Sequence, residues 1–112
     1  MTLQNFIQKL NTAPASISFA ETMAVIDSNY HYTPRKFTNG VLINEAGTNS
    51  GSCKLFAFAK LHQFTKTATL HCFGEHYQNV LADLDGTSHQ NIRNFMKTGF
   101  EGLSFEGTVL KS

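Results

Sequence analysis

Five histidines (His31, His62, His71, His76 and His89), two cysteines (Cys53 and Cys72) and Arg93 are the side chains whose chemistry could serve a reaction or a ligand. Cys72 and His76 stand four residues apart, the spacing of two ligands on one helical face. Zinc needs three or four ligands, and His71 could join only through a distorted turn, so no metal and no cofactor are expected. Cys53 or Cys72 with His89 gives the elements of a thiol–imidazole pair. The Gly-x-Ser-x-Gly spacing of a nucleophile elbow is absent, and no catalytic residue is assigned. Both cysteines sit in apolar surroundings, Ser-Cys-Lys-Leu-Phe and Leu-His-Cys-Phe-Gly, and read as buried thiols in a reducing compartment, with a disulfide between the two as the alternative.

Two polar runs are denser in hydrogen-bonding groups than the rest. In Gly47-Thr48-Asn49-Ser50-Gly51-Ser52-Cys53-Lys54, a loop feeding a helix would present successive backbone N–H groups and hydroxyls, the makings of an anion site. It is not a nucleotide-binding P-loop, because Ser52 stands where that motif has Lys. In Ser88-His89-Gln90-Asn91-Ile92-Arg93-Asn94-Phe95-Met96, a helix would put His89 and Arg93 on one face and Ile92, Phe95 and Met96 on the other. Arg93 would suit a carboxylate or phosphate. The same polar face could instead hydrogen-bond the 37–51 loop, as asparagines readily do, and this structural role is favoured. The candidate ligand-binding residues are therefore Asn39, Thr48, Asn49, Ser50, Ser52, His89 and Arg93.

These residues must be positioned by the elements around them. Leu3, Phe6, Ile7 and Leu10 predict a short amphipathic helix capped by Thr2 and ended before Pro14. Ser18 with Glu21 predicts a capping box opening a helix over about 19–29. Asn39-Gly40 predicts a tight turn before Val41-Leu42-Ile43. Residues 54–64 fit a strand or a buried helix, with helix favoured and Ser50 or Ser52 as its cap. A helix capped by Thr67 or Thr69 would carry Phe73, Tyr77, Val80, Leu81 and Leu84, weakened by Gly74 by about 1 kcal/mol. Thr87 or Ser88 would cap a last helix ending at Gly99. Leu103, Phe105 and Val109 alternate with polar residues as a half-buried strand, to pair with 41–44. The fold class is α+β, mainly α: about five helices with a minimal two-stranded sheet.

The 112 residues suit a single domain over 1–112. At 41% hydrophobic and 15% charged residues, with a formal net charge of +1, the chain reads as globular. No basic face favours nucleic acid. No apolar run favours a membrane or a secretory signal peptide. The first acidic residue is Glu21, and the preceding twenty residues are rich in Ser, Thr, Asn and Gln, a composition that suits a type III secretion signal or an ordinary polar helix.

The chain resembles the HopJ family of type III effectors from about residue 3 to residue 110. The resemblance is carried by Phe19-x-Glu21-Thr22-Met23, Tyr30-x-Tyr32-Thr33-Pro34-x-x-Phe37-x-Asn39-Gly40 and Asn44-x-Ala46-Gly47-Thr48-Asn49-x-Gly51-Ser52-Cys53-Lys54. It continues in Cys72-Phe73-Gly74-Glu75-His76-Tyr77, in His89 to Met96, and in Gly99-Phe100-x-Gly102-Leu103-x-Phe105. Phe100 stands where a family Trp is frequent. The resemblance implies a bacterial protein of the cytoplasm, or one delivered by type III secretion into a host cell to meet a host protein. It transfers no catalytic residue and no ligand. A small binding or interaction protein is the favoured function, and a small ligand-binding domain or enzyme is the alternative. Oligomeric state is not fixed by the sequence.

Overall fold

The structure, a computed structural model, describes residues 1–112. The chain runs α1 (Leu3–Thr12), α2 (Phe19–Asn29), β1 (His31–Tyr32), β2 (Phe37–Asn39), β3 (Leu42–Asn44), α3 (Ser50–Leu61), α4 (Lys66–His71), α5 (Glu75–Leu81), α6 (Gln90–Thr98), β4 (Leu103–Phe105) and β5 (Leu110–Lys111). Short 3-10 turns at Pro14–Ser16 and Gly99–Gly102 follow α1 and α6. The fold is α+β and mainly α, and five of its six helices have seven residues or more.

The first two helices form as their end signals dictate. Thr2 Oγ1 accepts from the Asn5 N–H at 3.0 Å. The capping box closes both ways: Ser18 Oγ accepts from the Glu21 N–H at 3.1 Å, and Glu21 Oε1 accepts from the Ser18 N–H at 2.9 Å. Lys9 reaches the other Glu21 oxygen at 2.7 Å and ties α1 to α2. α3 is the central helix, with Cys53, Leu55, Phe56, Ala57, Phe58 and Ala59 all buried. Burial on nearly every side erases helical amphipathicity, which is why its sequence fits a strand almost as well. Phe56 anchors the core by edge or tilted contacts with Phe37, Phe73 and Phe95 at 6.2, 5.4 and 4.9 Å between ring centres.

Three helix starts differ from expectation. α3 is capped by Asn49 and α6 by His89, both in left-handed backbone conformation (φ 50° and 53°), while Ser50 and Ser52 lie inside the first turn of α3. α4 is capped by Thr65, whose Oγ1 accepts from the Ala68 N–H at 3.0 Å, rather than by Thr67 or Thr69. The single helix expected to run to Leu84 is broken into α4 and α5. Gly74 takes φ 57°, and a Cβ there would lie 2.6 Å from the Phe19 nitrogen and 2.8 Å from the Ile17 oxygen. The crossing of the chain over Ile17–Phe19 forces the break. Phe73 and Val80 remain buried, whereas Leu81 and Leu84 are left exposed.

The expected two-stranded sheet is larger and paired differently. β2 is central, in the order β3-β2-β4, and β4 pairs with β2 in the register Phe37↔Phe105, Thr38↔Ser104, Asn39↔Leu103, not with the 41–44 segment. β2 and β3 form a hairpin through Gly40-Val41. Only Gly40 of these two has positive φ (62°), as a type II′ turn requires. The strand expected to reach Val109 stops at Phe105. Leu110, beyond Gly107 (φ 151°), pairs with Tyr32 in a separate β1–β5 ladder.

The break at Gly74 reverses a sign. In a continuous helix Gly74→Ala would stabilise by about 1 kcal/mol. Here it adds a left-handed alanine and a backbone clash, so a loss of at least about 2 kcal/mol is expected. Urea unfolding of the variant decides between the two.

Candidate functional site

Four asparagines join the hairpin to the starts of α3 and α6. Asn39 and Asn44 are buried on the inner face of the hairpin, and Asn91 is buried in the first turn of α6. Asn39 Nδ2 donates to the Asn91 backbone oxygen at 2.7 Å and to its side-chain oxygen at 3.0 Å. Asn44 Nδ2 donates to Asn91 Oδ1 at 3.2 Å, and Asn91 Nδ2 donates back to Asn44 Oδ1 at 2.9 Å. Asn49 Nδ2 donates to the same Asn44 oxygen at 2.6 Å. The cap of α3 and the first turn of α6 are thereby held side by side. The expected structural role of the 88–96 polar face is filled by Asn91.

Between those two helix starts lies a cleft of about 540 Å³. Its polar lining includes Asn49, Ser52, His76, His89, Gln90 and Asn91, and its apolar lining Phe19, Leu42, Phe73 and Ile92. No acidic residue lines it. The first-turn N–H groups of a helix have no partner within it, and in α3 and α6 no cap side chain covers them. The backbone at Gly51 admits Phe19 so closely that a Cβ would meet its ring at 2.8 Å.

His76 and His89 pack against each other in the cleft lining with ring centres 5.0 Å apart, and His76 also sits edge-on against Phe19 at 4.9 Å. Partial burial, then the charges of His76 and Arg93, hold the His89 imidazole below the ordinary histidine range. The nearby Glu75 carboxylate is engaged elsewhere. It accepts from the Phe19 N–H at 2.8 Å, which holds its pKa below the usual carboxylate range, with the neighbouring His76 adding a smaller pull in the same direction. Of the other histidines, His62 bonds to the Tyr30 hydroxyl at 2.6 Å and His71 packs edge-on against Tyr77.

The candidate residues named from sequence divide. Asn49, Ser52 and His89 line the cleft. Asn39 lies beneath it in the asparagine network. Thr48 and Ser50 donate to the Glu45 and Gly47 carbonyls, at 2.6 and 3.4 Å, and close the turn before α3. Arg93 does not share a face with His89 in the cleft. Its buried guanidinium donates to the Ser88 carbonyl, the Leu84 carbonyl at 3.1 Å and the Ser88 hydroxyl at 3.4 Å, so it fixes the loop that leads into His89. His76, Gln90 and Asn91 had not been named as ligand-binding residues. The Cys72–His76 spacing drew attention to His76, but Cys72 is buried in the core with its thiol pushed up to about 12 by desolvation, while His76 faces the cleft. Both cysteines are free. Burial also raises the Cys53 thiol.

The fold is thus a small mainly helical α+β domain with an open polar cleft at converging helix starts. The family profile described as "HopJ type III effector protein" matches residues 3–110, and the chain belongs to that family. It is also similar to a crystal structure described as that of the "unknown function protein VPA0580", with 51% identity and a TM-score of 0.97 over 99% of this chain and 93% of that one. No curated protein matches the chain. No helix is long and apolar enough to cross a membrane.

Removing the shared amide tests the network. Asn91→Ala removes three side-chain bonds and leaves the buried Asn44 amide nitrogen with only the Phe37 carbonyl at 3.5 Å, for an expected loss of about 3 kcal/mol in urea unfolding. Lys97→Ala, at an exposed position of the same helix, should change stability by less than about 0.5 kcal/mol.

Proposed function

We propose that this chain acts by binding, and that its cleft seats an anionic group, a carboxylate or phosphate, of its ligand. The observation that carries this reading is the meeting of two helix starts without side-chain caps and two imidazoles around one cleft without acidic lining. Oriented N–H groups and the positive ends of two helix dipoles favour negative charge there. The apolar walls, Phe19, Phe73 and Ile92, give the rest of a ligand a surface to pack on.

Sulfate keeps its charge across the histidine range and is the probe of choice. Titrated into the labelled full chain, it should shift the amide signals of Ser50–Ser52 and Gln90–Ile92. An anion beside His89 favours the protonated ring, so affinity should rise as pH falls. One unit of coupling to the imidazole sets a ceiling of about tenfold on that gain, of which several-fold should appear between pH 7.5 and 5.5. His89→Asn keeps a residue that tolerates the left-handed cap and should abolish most of that pH dependence. Absence of shifts at tens of millimolar sulfate would end this reading.

The same reading places the ligand on a protein partner, met in a host cell after type III delivery, in keeping with the family's description. Residues before Glu21 are not a loose leader: Phe6, Leu10 and Ile17 are buried in the core. Export therefore requires this end to undock first. A reporter fused behind the Met1–Val25 segment should leave cells with a working type III apparatus and stay in cells lacking it. Equal retention in both would remove delivery from the proposal.

A further inference from the structure

β3 is an edge strand, and its register shows which of its backbone groups are free. Gly40 N–H donates to the Gly102 carbonyl at 2.9 Å, and Glu106 N–H donates to the Lys36 carbonyl at 3.0 Å. Alternate residues of β2 therefore bond to β4, and Thr38 between them does the same. Ile43, opposite Thr38, is then the widely spaced partner in the β2–β3 ladder, with its N–H and C=O directed away from the sheet. No proline or lysine guards this edge. Val41 and Ile43, at 93% and 60% exposure, are the two most exposed large hydrophobic residues of the helices, the strands and their turns.

We propose that this edge and the adjoining cleft together dock an extended segment of a partner protein in which one Asp or Glu stands between two apolar residues. The inference rests on the anion-binding reading of the cleft and names the partner class. Side chains alternate across a strand. Ile43 shares the outer face with Thr38 and Ser104, whereas Leu42 shares the inner face with Asn39 and lines the cleft. A strand added beside β3 must alternate in the same way. Its outward residues cover Ile43 and Val41, and the residue between them turns to the cleft side, where converging helix starts, His76 and His89 complement a carboxylate. A second copy of this chain fits less well: its own β3 would bring Leu42 and Asn44 to that side, neither of them acidic.

Selection of displayed random segments on the immobilised full chain tests this directly. The enriched segment is then made with both termini blocked, so that only side chains carry charge. An apolar-acidic-apolar pattern is expected. Changing its Asp or Glu to the amide should weaken binding about tenfold, the equivalent of 1.4 kcal/mol. Methylating the backbone nitrogen that faces Ile43 should abolish binding, while methylating the next nitrogen, which faces away, should leave it nearly intact. Ile43→Pro removes the outward N–H without touching the ladder to β2 and should also abolish binding. No enriched segment, equal effects of the two methylations, or binding indifferent to both methylation and Ile43→Pro would overturn the proposal. If sulfate still binds the cleft in that event, the edge alone has failed. If alternating methylation matters but neither sulfate nor the acidic residue does, the cleft reading has failed and the acidic half of the proposal with it.

Discussion

The mutual hydrogen bonds of Asn44 and Asn91 hold the functional end of this molecule together. Each carboxamide donates to the other, Asn39 adds two bonds to Asn91, and Asn49 adds one to Asn44. An amide offers two N–H donors beside an acceptor oxygen, so Asn44 and Asn91 exchange bonds while each oxygen also serves a second asparagine, which carboxylates without donors could not do. Of the buried amide oxygens, that of Asn39 alone is left without a partner. Buried amides left unpaired are costly, so the hairpin, the α3 cap and the α6 start must fit each other together. The cleft between those helix starts is a consequence of that fit.

The left-handed caps have a functional consequence of their own. A Ser, Thr or Asp cap in extended conformation would turn its oxygen back onto the N–H groups of the first turn, as Ser18 and Thr65 do for α2 and α4. Asn49 and His89 instead enter their helices at φ 50° and 53°, and neither makes that bond. Asn49 spends its amide on Asn44. His89 leaves its imidazole at the cleft. The two helices that meet at the cleft thus both start without a side-chain cap, as does α5 after Gly74.

Local signals were legible where one segment decides its own structure. Thr2 and the Ser18–Glu21 capping box marked α1 and α2, and Asn39-Gly40 marked the hairpin, although the turn itself falls one residue later, at Gly40-Val41, with Asn39 paired in β2. The mainly helical class followed from the same patterns. Elements decided by distant partners were not legible. Gly74 breaks a helix because residues 17–19 pass against it, and no window around Gly74 contains that information. β4 chooses β2 over β3 because β2 carries Phe37 into the core against Phe56, a contact across nineteen residues. The site shows the same division. Asn49, Ser52 and His89 lie in runs whose polar density drew attention, whereas His76 joins them only because the break at Gly74 redirects α5.

Arg93 shows why density in sequence is not convergence in space. A guanidinium four residues from a histidine on a helix invites an ion-binding reading, yet its donors are taken by the carbonyls of Leu84 and Ser88 and by the Ser88 hydroxyl. That placement shapes the site by exclusion. A permanently charged guanidinium in the cleft would hold an anion at every physiological pH. With Arg93 committed to the loop, the basic side chains lining the cleft are the imidazoles of His76 and His89, and partial burial disfavours the charged form of His89. The scaffold takes the fixed charge and the cleft keeps the variable one. Attraction for an acidic group thus rests on oriented backbone N–H groups, supplemented by imidazoles whose charge responds to the medium.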